Sequence, residues 1–173
     1  MQLAPVPLRR AVYRAGHAAM RVYWRVVRPH TRGVKCVVRE GGALLFVRHA
    51  YGDRNSWELP GGGIKRGEDP RDAAAREARE ELGIELSDWR ALGEVQARGY
   101  GKRTTVICFE GRPPDRTLAI DRGEIEEARW FDVREPPRRL GRDARTVLSR
   151  LLGDADQAAA RSGRASANGR RTP

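Results

Sequence analysis

The sequence predicts an α/β domain, a mixed β-sheet held between helices, with an extra amphipathic helix in front of it. Three observations predict this. Short apolar and β-branched runs separated by glycine turns recur through the middle of the chain. A glycine-rich stretch, Leu59-Pro60-Gly61-Gly62-Gly63, leads into a segment bounded by clear helix start and stop signals. Near the N-terminus, apolar and basic side chains each repeat at spacings of three and four.

Residues 1 to 30 read as a leader and a basic helix. Pro5 and Pro7 mark residues 1 to 7 as a loose leader. From Leu8 to Arg28, one stripe carries Arg10, Arg14, His17, Arg21, Arg25 and Arg28. Another carries Val12, Ala19, Tyr23 and Val27, with Tyr13, Met20 and Trp24 beside it, and Pro29 ends the helix. Such a helix either docks its aromatic side on the domain and leaves arginine in water, or meets an anionic membrane surface, an acidic partner or nucleic acid.

Residues 31 to 152 read as the folded domain. Val34 to Arg39 and Ala43 to Arg48 flank Glu40-Gly41-Gly42 as a hairpin. A polar loop, His49 to Ser56, then delivers the chain to the glycine-rich stretch. Beyond that, Asp69 suits an N-cap, Pro70 the first helical position and Gly83 the C-cap, so a helix is expected over Pro70 to Leu82. Ala91 to Gly99 and Lys102 to Phe109 form a second strand pair, and Glu127 to Val133 another strand in which Trp130 and Phe131 belong to the core. Asp143 to Leu152 closes the domain as a helix with Val147, Leu148, Leu151 and Leu152 on its apolar side. Residues 153 to 173, rich in Ala, Ser, Gly and Arg, are expected to be a disordered basic tail.

Composition narrows the function classes. The net charge of +11 is concentrated before Glu40, where nine basic residues stand without an acid, whereas residues 40 to 152 are balanced. Basicity therefore belongs to the ends, and nucleic-acid binding is not favoured for the core. Cys36 and Cys108 each sit in an apolar run, which suggests buried thiols in a reducing cytoplasm more than a disulfide framework. No apolar run has the length of a membrane span, and the first residues lack a secretion-type apolar core.

The chemistry concentrates in the central helix. Glu77, Glu80 and Glu81 are three and four apart, so their carboxylates share one face and repel one another. A hard divalent cation, Mg2+ or Mn2+, would relieve that repulsion, with a backbone carbonyl as a further oxygen ligand. Arg76 stands beside the cluster and can orient a carboxylate through paired hydrogen bonds. A solvated charged helix face is the alternative reading of the same residues.

Gly62, Glu68, Arg76, Glu77, Ala78, Glu80, Glu81, Gly83 and Ile84 fit the pattern G-x5-E-x7-R-E-U-x-E-E-x-G-U, in which U is a bulky aliphatic. The chain thereby resembles the Nudix hydrolase family, MutT-like enzymes. Ala78 departs from the pattern, replacing a larger aliphatic, which is expected to loosen the helix packing. The resemblance implies an α/β/α sandwich and hydrolysis of the diphosphate linkage in a nucleoside diphosphate joined to another group. It assigns metal binding to Glu77, Glu80 and Glu81, with the Gly61 turn and Glu68 as contributors, and an orienting role to Arg76. It also implies a homodimer in many members. A 5′-end RNA pyrophosphohydrolase and a non-catalytic nucleotide-binding module are the alternative functions.

The resemblance leaves two sources for the general base, a glutamate of the pattern such as Glu77 or Glu80, or one from a later loop. Glu124, Glu126 and Glu127 lie where some family members place a later-loop glutamate, with Glu124 and Glu127 the candidates. Candidate substrate contacts are Arg48, His49, Arg54 and Trp57 before the glycine loop, and Tyr100, Lys102 and Arg103 after it. His49 has no His or Cys partner at ligand spacing and is not expected to hold a metal.

Overall fold

The computed structural model describes residues 4–99 and 101–150. Helix α1 spans Val6–Val27, β1 His30–Glu40, β2 Ala43–His49, α2 Pro70–Leu82, β3 Ser87–Gly99, β4 Lys102–Arg112 and β5 Ile125–Asp132. Residues 142–150 are helical and form α3. Leu151, Leu152, Tyr100 and the tail expected over residues 153 to 173 lie outside the described residues.

The sheet order is β3-β4-β1-β2-β5. Only the central β1–β4 pair is parallel; β1–β2, β2–β5 and β3–β4 are antiparallel. Both faces are covered, so successive buried side chains of β1 turn to opposite cores. Val34, Cys36 and Val38 turn to one face, where they meet Ala73, Ala74, Ala78 and Leu82 of α2. Val37, Leu44, Phe46, Val106 and Cys108 turn to the other and meet Ala144, Val147 and Leu148 of α3. Trp130 and Phe131 are partly buried against these two clusters, one on each.

Helix α2 has the boundaries its signals predict. The Asp69 carboxylate accepts from the N–H groups of Arg71 and Asp72, a cap worth about 1 kcal/mol. Gly83 adopts φ 67° and returns its N–H to Arg79. Ala73, Ala74, Ala78 and Leu82 form its apolar buried face, and the Cys36 thiol donates to the Ala74 carbonyl at 3.3 Å. Ala78 is fully buried in this contact.

The β1–β2 hairpin pairs only at Arg39–Leu44 and Glu40–Ala43. Its strands then part, and the chain from Glu58 to Gly62 enters between them. Val47 and Glu58 exchange both backbone bonds, Cys36 N–H donates to Pro60 O, and Val34 N–H donates to Gly62 O. The glycine loop is thus fixed by the sheet itself. At Gly61, φ is 133° and a Cβ would lie 2.3 Å from the Val34 carbonyl oxygen, so a side chain has no room there.

Helix α1 begins at Val6, within the expected leader, because Pro7 occupies its first turn, where a missing N–H costs nothing. Its docked face is mixed, carrying arginines as well as the aromatic side chains expected there. Arg9 pairs with Asp121, Arg10 donates to Arg122 O, and Arg14 donates to Ala50 O. Tyr13 and His17 pack on Tyr51, and Lys102 sits 3.7 Å from the Trp24 ring centre. Leu8, Val12, Val22, Tyr23, Val26 and Val27 are exposed. Backbone carbonyls and an acid on the domain supply better partners for arginine than an apolar surface would.

Candidate active site

The site forms where α2, the glycine loop and the ends of β2 and β5 converge. Glu81 is 2% exposed, and its Oε2 accepts the Gly61 N–H at 3.0 Å. Burial pushes its carboxyl up to about 8, against the opposing effects of the Lys35 charge and the Gly61 hydrogen bond. Lys35 itself is tethered to Leu59 O at 2.7 Å. A buried carboxylate in such surroundings is a demand for positive charge.

Glu77 lies one turn earlier, and burial likewise raises its carboxyl, with Arg76 opposing. A Cβ at Gly62 would lie 2.6 Å from Glu77 Oε1, so the second loop glycine makes room for this side chain. Glu80 differs from its two neighbours. Its side chain is 54% exposed and accepts from Arg76 Nη1 at 3.0 Å. The shared helix face read from the spacing is therefore graded, from Glu81 in the interior to Glu80 in water.

Arg76 organises the outer side of the cluster. It donates to both oxygens of Glu68, at 2.8 and 3.1 Å, to Glu77 Oε1 at 2.7 Å and to Gly63 O at 3.0 Å. Glu68 also accepts the Lys65 N–H. Together these hydrogen bonds, the Arg76 pair foremost, hold the Glu68 carboxyl down at about 2. Around Gly61, the Pro60 and Gly62 carbonyls are consumed by the sheet, and the Gly61 carbonyl takes part in neither bond.

Glu124 approaches Glu81 from the start of β5. The Tyr51 hydroxyl donates to its Oε1 at 2.8 Å, and Ala50 N–H donates to its carbonyl. Burial raises the Glu124 carboxyl, and its bonds to Tyr51 and Tyr13 oppose that. Tyr51 remains a donor because burial raises its hydroxyl far above the ordinary value. Glu127 goes elsewhere. It pairs across the strands with Arg48, at 2.5 Å, and with Arg129 at 2.8 Å.

Arg48 also lies 5.4 Å from the Trp57 ring centre, and Arg54 pairs with Glu126 at 2.9 Å. Trp57 packs edge-on against Phe131. The expected substrate contacts before the loop are thus engaged with acids or with the core. Arg103 is exposed on β4 in register with His30, and Tyr100 lies outside the described residues.

His49 departs from expectation. One of its ring nitrogens lies within 4.8 Å of carboxylate oxygens of Glu81 and Glu124. Spacing could not reveal this, since residues 49, 81 and 124 come from three separate elements. Tyr51 and Tyr13, which hold Glu124, were equally invisible as isolated tyrosines in polar and helical stretches.

Fold and site together define a hydrolase of the MutT type. The NUDIX domain family profile matches residues 29–151. An RNA pyrophosphohydrolase of Rhodospirillum rubrum is 30% identical over 122 residues, covering 61% of this chain and 74% of that protein. Another, of Bartonella bacilliformis, is 40% identical over 138 residues, covering 63% and 81%. The crystal structure of a MutT NUDIX hydrolase from Burkholderia pseudomallei superposes with a TM-score of 0.66 at 22% identity, covering 70% of this chain and 98% of that one. The chain belongs to the NUDIX family and is a pyrophosphohydrolase.

Proposed function

We propose that the chain hydrolyses the diphosphate linkage of a nucleoside diphosphate joined to another group, in a reaction that depends on Mg2+ or Mn2+. The observation that carries this reading is the buried Glu81 carboxylate, bonded to the glycine loop and faced by Glu124. Its raised carboxyl and the unpartnered buried Nδ1 of His49 fit a site built for a cation. Glu77, Glu80 and Glu81, with the Gly61 carbonyl, would hold the ion, which when bound neutralises phosphate charge and activates water. Arg76 fixes Glu77 and ties Glu68 and Glu80 into the same network.

Glu124 accepts the proton from the attacking water, aimed by the Tyr51 hydroxyl. The water oxygen bonds to phosphorus, the bridging P–O bond breaks, and its electron pair leaves with the departing phosphate. Burial around Glu124 and Glu81 strengthens these electrostatic contacts. The buried, unpaired Cys36 and Cys108 support a reducing, cytoplasmic setting. No described helix is long and apolar enough to cross a membrane. Arg9, Arg10 and Arg14 of α1 find partners on the domain itself.

A second reading has a specific observation in its favour. Both relatives above carry the name RNA pyrophosphohydrolase, so the 5′-triphosphate end of RNA is a substrate class of equal standing. Competition decides between them. Nucleoside triphosphates, nucleotide sugars, ADP-ribose, dinucleoside polyphosphates and a triphosphorylated RNA oligomer are incubated with protein and Mg2+ and followed by phosphorus NMR. Selective loss of the RNA triphosphate, weakened steeply by salt, assigns the RNA reading. Selective turnover of a small conjugate assigns the first, and silence toward every substrate overturns both.

A further inference from the structure

We propose that His49 is a nitrogen ligand to the cation held by Glu81, giving this site a mixed nitrogen and oxygen donor set. This rests on the reading above that a divalent cation sits beside α2. Among the described residues, His49, Glu81 and Glu124 form the group whose ligand atoms all lie within 4.8 Å of one another. Three ligand atoms sharing one ion are about 3–3.6 Å apart at ordinary metal–ligand distances of about 2.1 Å. Closing the group around an ion takes side-chain rotation.

The second observation is independent of the carboxylates. Nδ1 of His49 is buried and has no hydrogen-bond partner. Buried polar atoms are almost always satisfied, and one that is not, on a ring with a nitrogen within 4.8 Å of two carboxylates, points to an absent partner. A third comes from the backbone. The β2–β5 register is regular through Arg48–Glu127 and then shifts, so that His49 lies opposite Ile125. An irregularity of this kind re-aims a side chain beside a site, and here it brings the end of β2 to Glu124, whose carbonyl accepts from Ala50.

The ring is also braced. Tyr51 lies 5.1 Å from the His49 ring centre and donates to Glu124, so one side chain orients two members of the group. His49 thus stands at the end of β2 and Glu81 on α2, with Glu124 facing both, and His49 and Glu81 would hold the cation from two separate elements. Imidazole favours borderline cations over Mg2+, so the donor set shifts preference toward Fe2+, Ni2+ or Zn2+.

Mn2+ bound to the full-length protein provides the test, read by pulsed electron paramagnetic resonance. The expected result is coupling to a directly bound nitrogen that changes when histidine is labelled with 15N and disappears in His49→Gln. Mn2+ affinity in that variant should fall at least about tenfold. Bound Mn2+ without nitrogen coupling, or coupling that survives His49→Gln, overturns the proposal. In that case loss of Mn2+ binding in Glu81→Gln would leave the cation reading standing. Absence of any Mn2+ binding to the native chain overturns both. The isotope comparison needs no variant, so it holds even if His49→Gln fails to fold.

Discussion

The N–H of Gly61 donates to Glu81 Oε2 at 3.0 Å, and through that bond the glycine loop and the carboxylate helix fix one another. The loop is threaded between β1 and β2 and the helix is laid on the same sheet, so neither shifts without the other. The two loop glycines should then fail differently. Gly61→Ala meets the Val34 backbone at a strained φ and is expected to lose about 2–4 kcal/mol of stability, measured by urea unfolding. Gly62→Ala meets only the Glu77 carboxylate and should keep most of its stability while turnover falls at least about tenfold.

Metal-free stability should depend on pH through Glu81. Its folded value of about 8 lies above the ordinary 4.5, so folding favours the protonated form. That contribution is full below about pH 4.5 and is lost as pH rises through about 8. In EDTA, the urea midpoint of the native chain should fall over this window, and Glu81→Gln should flatten the fall. An unchanged slope in the variant would assign the dependence to other groups.

Glu68 has the opposite sign. Its carboxyl is held down at about 2, chiefly by Arg76, so its contribution is present above about 4.5 and lost as pH falls toward 2. Arg76→Lys cannot keep the paired bonds to both Glu68 oxygens. It should weaken this acid-side dependence and lower turnover about 10–100-fold through misplaced carboxylates. Retained turnover would show that Arg76 is a surface ion pair with little influence on the site.

Tyr51→Phe tests Glu124 as proton acceptor. The Tyr51 bond favours the ionised carboxylate, so its removal should move the acid limb of the pH–rate profile upward. Glu124→Gln should abolish that limb with most of the rate. Glu127→Gln, which removes a partner of Arg48 and Arg129, should leave the limb in place. A limb that follows Glu127 instead would reverse the assignment.

What was legible in the chain was local. Asp69, Pro70 and Gly83 mark the ends of α2 through chemistry confined to a few residues, and the glycine-rich pattern places the loop before it. The second half of the site is a product of topology. His49, Glu81 and Glu124 meet only because β5 pairs with β2 and the loop enters between β1 and β2, contacts that no sequence spacing encodes. Helix α1 shows the same limit. Its two stripes are plain, but which of its residues face inward depends on Asp121 and the carbonyls of Ala50 and Arg122, all supplied from elsewhere in the fold.

The central claim is that the Glu81 cluster drives cation-dependent attack of water on a diphosphate. Phosphorus NMR of hydrolysis in 18O-enriched water, with EDTA and then with excess Mg2+, tests it directly for the native chain and for Glu81→Gln. No turnover is expected in EDTA. With Mg2+, turnover should place one 18O on a single phosphorus, and none of this should occur in the folded variant. Undiminished hydrolysis in EDTA, or native rates in Glu81→Gln, would contradict it.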